Sequence, residues 1–217
     1  MKLSSIVVVA ILAAACYREE PVPQKEPMNR SEALEDSKET SKDIARILLR
    51  MDTMMTKHLE ERDRYYDLRF IDMMINHHEC GIMAAKSAIQ NAAHAESITF
   101  AEDMSLMFQM NIDQMKAWRR TWYDEERPAK GTYADSLLKV MTEMDTTMAF
   151  KLGTKDPNYD LRFTDMMLIH HRIGIDMAID ALEKTAHPKM RELAEELAIN
   201  LRRGMKELQA WRVKWYG

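Results

Sequence analysis

Apolar residues recur at helical spacing along most of the chain, and no run of alternating β-branched residues indicates a strand. The pattern predicts the same three helices twice. The first helix covers about residues 41–59 and again 133–152, and the second covers about 67–92 and 160–186. In each copy the third helix follows a short break and ends at two tryptophans and a tyrosine.

The two copies form an internal repeat. The segment YDLRF at residues 66–70 returns 93 residues later, at 159–163, and this offset holds without a gap to the end of the chain. A gapless match of this length indicates duplication. Because helices joined by short turns pack antiparallel, we expect an all-α protein in which two long hairpins form a four-helix bundle, with one additional helix per repeat.

The first 16 residues have the form of a signal segment. Lys2 precedes about a dozen apolar residues, too few to span a bilayer, and three alanines then precede Cys16. Small residues before a cysteine resemble the lipobox of bacterial lipoproteins, in which that cysteine is lipidated. We therefore expect export and a lipid anchor at Cys16, on the periplasmic side or surface of the cell envelope. An ordinary cleaved signal is the alternative.

Residues 17–42 are polar, contain three prolines and lack apolar periodicity until near their end, which predicts a flexible tether. The duplicated helical domain then covers residues 43–217, with repeat one at about 43–123 and repeat two at about 133–216. If Cys16 carries lipid, Cys80 is the only thiol left, and no internal disulfide can form.

Charge and motifs exclude several classes of function. A formal net charge of −4 gives no reason to expect a nucleic-acid partner. The Glu-x-x-His motif of di-iron sites, the His-Glu-x-x-His motif of zinc hydrolases and the Cys-x-x-Cys-His motif of c-type haem proteins are absent from the sequence. We therefore expect no enzymatic activity.

The candidate chemistry lies on the second helix of each repeat, in a chain with 20 methionines. At about 100° per residue, His170 shares a helix face with Met166, Ile173 and Met177. The equivalent face of repeat one carries Met73, His77, Cys80 and Ala84, and a neighbouring face pairs Met74 with His78 and Met167 with His171.

Imidazole, thioether and thiolate groups are ligands of soft or borderline metal ions, which favours copper, with zinc or silver also possible. One helix cannot surround an ion, so two arrangements are open. Either both histidine pairs approach one shared site, or each repeat holds its own site, with Met104, Met107 or Met110 of the third helix. A lone buried methionine or histidine is usually structural. The repeated pairing, with methionine one turn before each histidine, favours metal binding.

Other residues are expected to have structural roles. The aspartates that open the second helices are expected to be N-caps, and a second aspartate in each is expected to have an orienting or salt-bridging role rather than to bind metal. We also expect the histidines at the breaks to cap helices, and the tryptophans to pack at the hairpin ends. The residues are Asp67, Asp160, Asp72, Asp165, His94, His187, Trp118, Trp122, Trp211 and Trp215.

The pattern Asp-x-Met-Met-x-x-His-His-x-x-Gly-Ile, present twice, resembles the bacterial proteins grouped as domain-of-unknown-function family 305, over about residues 67–217. This resemblance implies a ferritin-like four-helix bundle, usually exported, with copper binding in the periplasm in some members. The family's His-His-x-x-Ala-x-x-Met-Ala motif falls on residues 170–178, with Met177 at its methionine. In repeat one Ala84 stands at that position, and Cys80 is the candidate substitute.

The sequence therefore predicts copper sequestration or hand-off in the cell envelope, with an unidentified delivery protein as a possible partner. The alternative is an envelope-tethered helical interaction module that binds no metal and uses its histidines for packing.

Overall fold

The computed structural model describes residues 30–123 and 132–217, so the predicted signal, Cys16 and most of the predicted tether lie outside the described residues. The described ranges contain six helices and no strand. This confirms the all-α prediction. The helices are α1 (Arg30–His58), α2 (Tyr66–Asn91), α3 (Ala95–Tyr123), α4 (Thr132–Leu152), α5 (Tyr159–Lys184) and α6 (Pro188–Tyr216).

Two helical hairpins, α2–α3 and α5–α6, meet where α2 packs against α5. The first helix of each repeat packs mainly on the second helix of the other repeat: α1 packs on α5, and α4 packs on α2. The central pair α2/α5 is therefore covered by α3 and α6 on one side and by α1 and α4 on the other. Side chains that point inward from α2 and α5 are consequently buried.

Methionine fills much of the space between these helices. Met51 and Met55 of α1 and Met141 and Met148 of α4 are all buried in the hydrophobic core. Their flexible thioether side chains suit irregular gaps between packed helices. These methionines are therefore packing residues, as their helical spacing predicts.

Helix α1 begins well before its predicted start, so the prediction of a flexible tether is wrong for residues 30–42. The buried face of this part carries Ser37 and Ser41, one turn apart, followed by Ile44. The Ser37 hydroxyl accepts a hydrogen bond from the Arg162 guanidinium at 2.9 Å. Small polar side chains thus form the packed face here, which is why the apolar pattern gave no sign of a helix.

The aspartates predicted as N-caps have a different role. No side-chain cap hydrogen bond is present at the start of α2 or α5. Instead, the Asp160 carboxylate accepts a hydrogen bond from the Ala93 amide at 2.8 Å, and the Asp67 carboxylate accepts one from the Ala186 amide at 3.2 Å. Each aspartate therefore satisfies backbone donors in the interhelical turn of the other repeat, which links the two hairpins.

Aromatic stacking also links the interhelical turn of each hairpin to the other hairpin. The His94 ring stacks on Trp215 with centroids 3.8 Å apart, and the His187 ring stacks on Trp122 at 4.1 Å. The histidine side chains are therefore stacking groups; His187 occupies the N-cap position of α6 without a side-chain cap hydrogen bond. The end of each hairpin thus packs on the turn of the other, which confirms the structural role expected for the tryptophans.

Ion pairs join the two helices of each hairpin. The Arg119 guanidinium lies 2.7 Å from the Asp72 carboxylate, and the Arg212 guanidinium lies 2.5 Å from the Asp165 carboxylate. These contacts confirm the predicted salt bridges. Within residues 30–123 and 132–217, no helix combines the length and the hydropathy needed to cross a membrane.

Candidate metal centre

The structure brings the two His-His pairs together at the α2/α5 interface. The rings of His77 and His170 stack with centroids 3.9 Å apart and planes 11° from parallel. His78 and His171 flank this central pair, at 6.2 Å from His77 and 6.1 Å from His170 respectively. All four rings are at most 3% exposed. We call these four residues the histidine cluster.

Glycine at the same position of each repeat makes room for the central pair. A Cβ atom on Gly174 would lie 2.9 Å from His77 Nε2, and one on Gly81 would lie 3.1 Å from His170 Cε1. The Gly81 position would also clash with the ring of Phe108. Each imidazole therefore packs on bare backbone of the opposite repeat, which explains why glycine follows both His-His pairs at the same distance.

Hydrogen bonds determine which ring nitrogen carries the proton in two of the histidines. The Nε2–H of His170 donates to the backbone carbonyl of His77 at 3.1 Å, so its lone pair is on Nδ1. The Asn111 amide donates to His78 Nε2 at 3.2 Å, so that histidine carries its proton on Nδ1. The lone pair of His78 is thus already hydrogen-bonded, whereas that of His170 is not.

Within the histidine cluster, four buried ring nitrogens have no hydrogen-bond partner among the residues that the structure describes. They are His77 Nε2, His78 Nδ1, His170 Nδ1 and His171 Nδ1. A buried polar atom without a partner costs about 1–3 kcal/mol relative to a satisfied one. Their concentration in one small volume is typical of a site that holds a ligand.

Burial keeps the cluster uncharged. Desolvation lowers the pKa of His77 well below its usual value, lowers that of His170 to about 4, and lowers those of His78 and His171 to about 3. Mutual repulsion between the would-be imidazolium ions adds to the effect for His77, His78 and His171. At neutral pH all four rings are therefore neutral, which is the form that binds a metal ion.

The sulfur residues predicted as ligands are buried on the same two helices. All five methionines lie in the core, and helix geometry places four of them one turn before a histidine of the cluster. They are Met73, Met74, Met166, Met167 and Met177.

Cys80 is engaged elsewhere. Its thiol is buried and interacts with the carboxyl group of Asp145 on α4. Burial raises the pKa of the Cys80 thiol well above its usual value, with the Asp145 charge adding to the shift, so the sulfur is a protonated thiol and not a thiolate. The structure thus directs Cys80 toward α4, and its prediction as a substitute ligand for the absent methionine has no support from this contact.

No group of three or more His, Cys, Asp or Glu side chains within the described ranges is arranged to hold a metal ion. Four imidazoles lie close together, but the rings of His77 and His170 are stacked face to face. An ion bound here must therefore draw on the thioethers as well, or on a rotation of the rings.

Sequence reasoning missed three residues of this site. Phe108 packs against His78 with ring centroids 4.3 Å apart, Asn111 hydrogen-bonds the same ring, and Gly204 of α6 lies against His171. All three come from the third helices. Their one sequence signal is that Asn111 and Gly204 occupy the same position of the two repeats, 93 residues apart, and differ.

Comparison with known families gives two overlapping matches to the model of the family described as "Domain of unknown function (DUF305)", at residues 22–119 and 67–212. Together they span both repeats. The chain belongs to the DUF305 family. No curated protein matches it.

Comparison with solved structures shows which individual proteins this DUF305 chain is similar to. "CopM in the Cu(I)-bound form" is 27% identical, with a TM-score of 0.55 over 70% of this chain and 98% of that one. "CopM in the Ag-bound form (by soaking)" is 26% identical, with a TM-score of 0.56 over 72% of this chain and all of that one. A DUF305 fragment from Deinococcus radiodurans shares the fold at 17% identity, with a TM-score of 0.56 over 68% of this chain and 95% of the fragment.

Proposed function

We propose that this chain is an exported copper-binding protein whose ion is held at the histidine cluster. The observation that carries the proposal is the burial of four neutral imidazoles at one helix interface with four ring nitrogens lacking a partner. The similarity to a protein solved with Cu(I) and with silver supports the choice of metal.

The donor set favours a soft monovalent ion. Neutral imidazole nitrogen and thioether sulfur contribute no negative charge, and the energetic cost of burying an ion grows with the square of its charge. Cu(I) therefore fits this interior better than Cu(II) or Zn²⁺, and silver is expected to compete with it. Because thioethers bind without releasing a proton, such a site suits sequestration or hand-off better than catalysis, and we propose no enzymatic activity.

Location in the cell envelope is part of the proposal. The apolar segment before Cys16 supports export, and the small residues next to that cysteine support a lipid anchor in the membrane. A protein tethered in this way would hold copper outside the cytoplasm and pass it to a delivery partner.

An interaction module without metal is the second candidate function. Exposed apolar side chains on α3, including Leu106 and Met110 at 65% and 64% exposed, favour it. In that case the histidine cluster would serve packing alone.

A Cu(I) titration separates the two functions. In competition with a chromophoric Cu(I) chelator, the purified chain should bind at least one equivalent. The double substitution His170→Ala and His171→Ala should weaken binding by roughly 100-fold, since loss of even an outer-shell partner costs 10–100-fold.

The double substitution His94→Ala and His187→Ala is the matched control. It also removes two imidazoles, but these stack on tryptophan outside the histidine cluster. The affinity for Cu(I) should therefore be unchanged. Circular dichroism checks that each variant is folded. A folded His170/His171 variant with wild-type affinity would rule out the histidine cluster as the copper site, and absence of Cu(I) binding by the unmodified chain would favour the interaction module.

A further inference from the structure

The two repeats differ at the residue that covers the flanking histidine. In repeat one, Asn111 of α3 places its amide 3.2 Å from His78 Nε2. The same position of repeat two is Gly204 of α6. A Cβ atom there would lie 2.7 Å from His171 Nε2, so α6 presents only backbone to this ring, while the Phe100 ring of α3 stacks on it with centroids 5.7 Å apart. His78 is therefore capped by a polar side chain, and His171 has no equivalent cap.

His171 lies at the surface of a groove between α3 and α6. The groove has a volume of about 610 Å³, and its lining includes His171, Gly204, Met104 and Met107. Met104 is buried and Met107 is half-buried. A soft-ligand path thus leads from the outside of the bundle to one member of the histidine cluster.

Charge in the groove is mixed but mainly acidic. Asp103 of α3 and Glu207 of α6 belong to the lining, together with Glu96, which is ion-paired with Lys214 at 3.1 Å, and Arg203. Carboxylates at the mouth of a groove raise the local concentration of cations. The buried, partnerless Nδ1 of His171 lies in the ring at the inner end of this path.

We propose that a soft monovalent cation reaches the histidine cluster through the α3/α6 groove, meeting the Met104 and Met107 thioethers first and His171 as the first imidazole. His78 is the closed end of the cluster. This route rests on the proposed function for its cargo, but the accessibility of the two histidines can be measured without any metal.

The metal-free experiment is modification of the full chain by diethyl pyrocarbonate, with each histidine quantified by mass spectrometry. His171 should react severalfold faster than His78, with the partly exposed His94 as the reference for reagent activity. Exchanging the covering residues should reverse the order: Gly204→Asn should protect His171, and Asn111→Gly should expose His78. Equal rates for His171 and His78 in the wild-type chain would overturn the route, whether or not the protein binds copper.

The second experiment follows the rate of Ag(I) uptake from a chromophoric chelator. Gly204→Asn should slow uptake severalfold while the final stoichiometry stays the same, and Asn111→Gly should not slow it. Met107→Leu keeps the shape of the groove without its outer thioether and should also slow uptake, which keeps the test decisive if Gly204→Asn fails to fold. Unchanged rates in both groove variants would overturn the route alone, whereas absence of Ag(I) and Cu(I) binding by the wild-type chain would overturn the proposed function and, with it, the cargo of this route.

Discussion

The two copies of the His-His helix share their centre and differ at their edges. The stacked pair of His77 and His170 needs one ring from each repeat, and each ring packs on the glycine of the other copy. Both flanking rings pack on a phenylalanine of α3, but His78 is also capped by the Asn111 amide, whereas His171 faces a groove. The two repeats are thus alike at the central histidine pair, which they form together, and differ at the flanking histidines, which are covered by different residues.

The outer helices show a similar difference. At the α2/α4 contact, Cys80 interacts with Asp145, whereas the equivalent α5/α1 contact has Ile173 at the position of Cys80 and the half-buried Asp52 at the position of Asp145. Burial raises the pKa of Asp145 to about 7, and it also raises that of Asp52. The thiol of repeat one therefore serves a buried polar contact that repeat two lacks.

The largest expected effects come from filling the glycine positions. Gly174→Ala would place a Cβ atom 2.8 Å from a Leu201 methyl carbon and 2.9 Å from His77, and Gly81→Ala would clash with the Phe108 ring. Overpacking of a core costs about 1–3 kcal/mol. We expect Gly81→Ala to lower the free energy of unfolding more than Gly174→Ala does, because an aromatic ring has less freedom to move than a leucine methyl group.

Urea denaturation of both variants measures this difference, and each variant is the matched control of the other. If neither variant lost free energy of unfolding, α2 and α5 could move apart without cost. The interface around the His77/His170 pair would then not be tightly packed.

A smaller effect is expected from the buried carboxyl group. Because the folded pKa of Asp145 is raised from 3.8 to about 7, this group contributes stability that is present below pH 3.8 and lost as pH rises toward 7. Asp145→Asn removes the ionisation and should raise the free energy of unfolding by about 1–2 kcal/mol at pH 8, with the gain shrinking toward pH 5.

Asp52→Asn is the matched control in the other repeat and should give a smaller gain, since Asp52 is only half-buried. Thermal unfolding at several pH values provides the measurement. A pH-independent effect of Asp145→Asn would contradict the assignment of a buried, titrating carboxyl group.

Much of this architecture could be predicted from the sequence. Helical periodicity depends only on residues close in sequence, and a gapless repeat is found by comparing the chain with itself. The start of α1 was missed because Ser37 and Ser41 form its buried face, and serine carries no apolar signal. The roles of Asp67 and Asp160 were missed because their partners lie in the turn of the other repeat, at a distance that local capping rules do not consider.

For the candidate site, a helical wheel correctly placed four histidines on inward faces, and the repeat predicted that they could meet. The wheel could not show which neighbouring helix each side chain would contact. Cys80 lies on the same face as His77 in projection, but α4 supplies Asp145 as its partner. The residues that distinguish the flanking histidines, Asn111 and Gly204, come from other helices and required the tertiary structure.

The central claim is that the histidine cluster holds the ion jointly with methionine sulfur. A crystal structure of the chain loaded with Ag(I), with the ion located by anomalous scattering, tests it most directly. We expect an ion bound by at least one ring nitrogen of the cluster and at least one methionine sulfur. Ions found only at exposed methionines such as Met110, with the four imidazoles still stacked and unliganded, would contradict the claim.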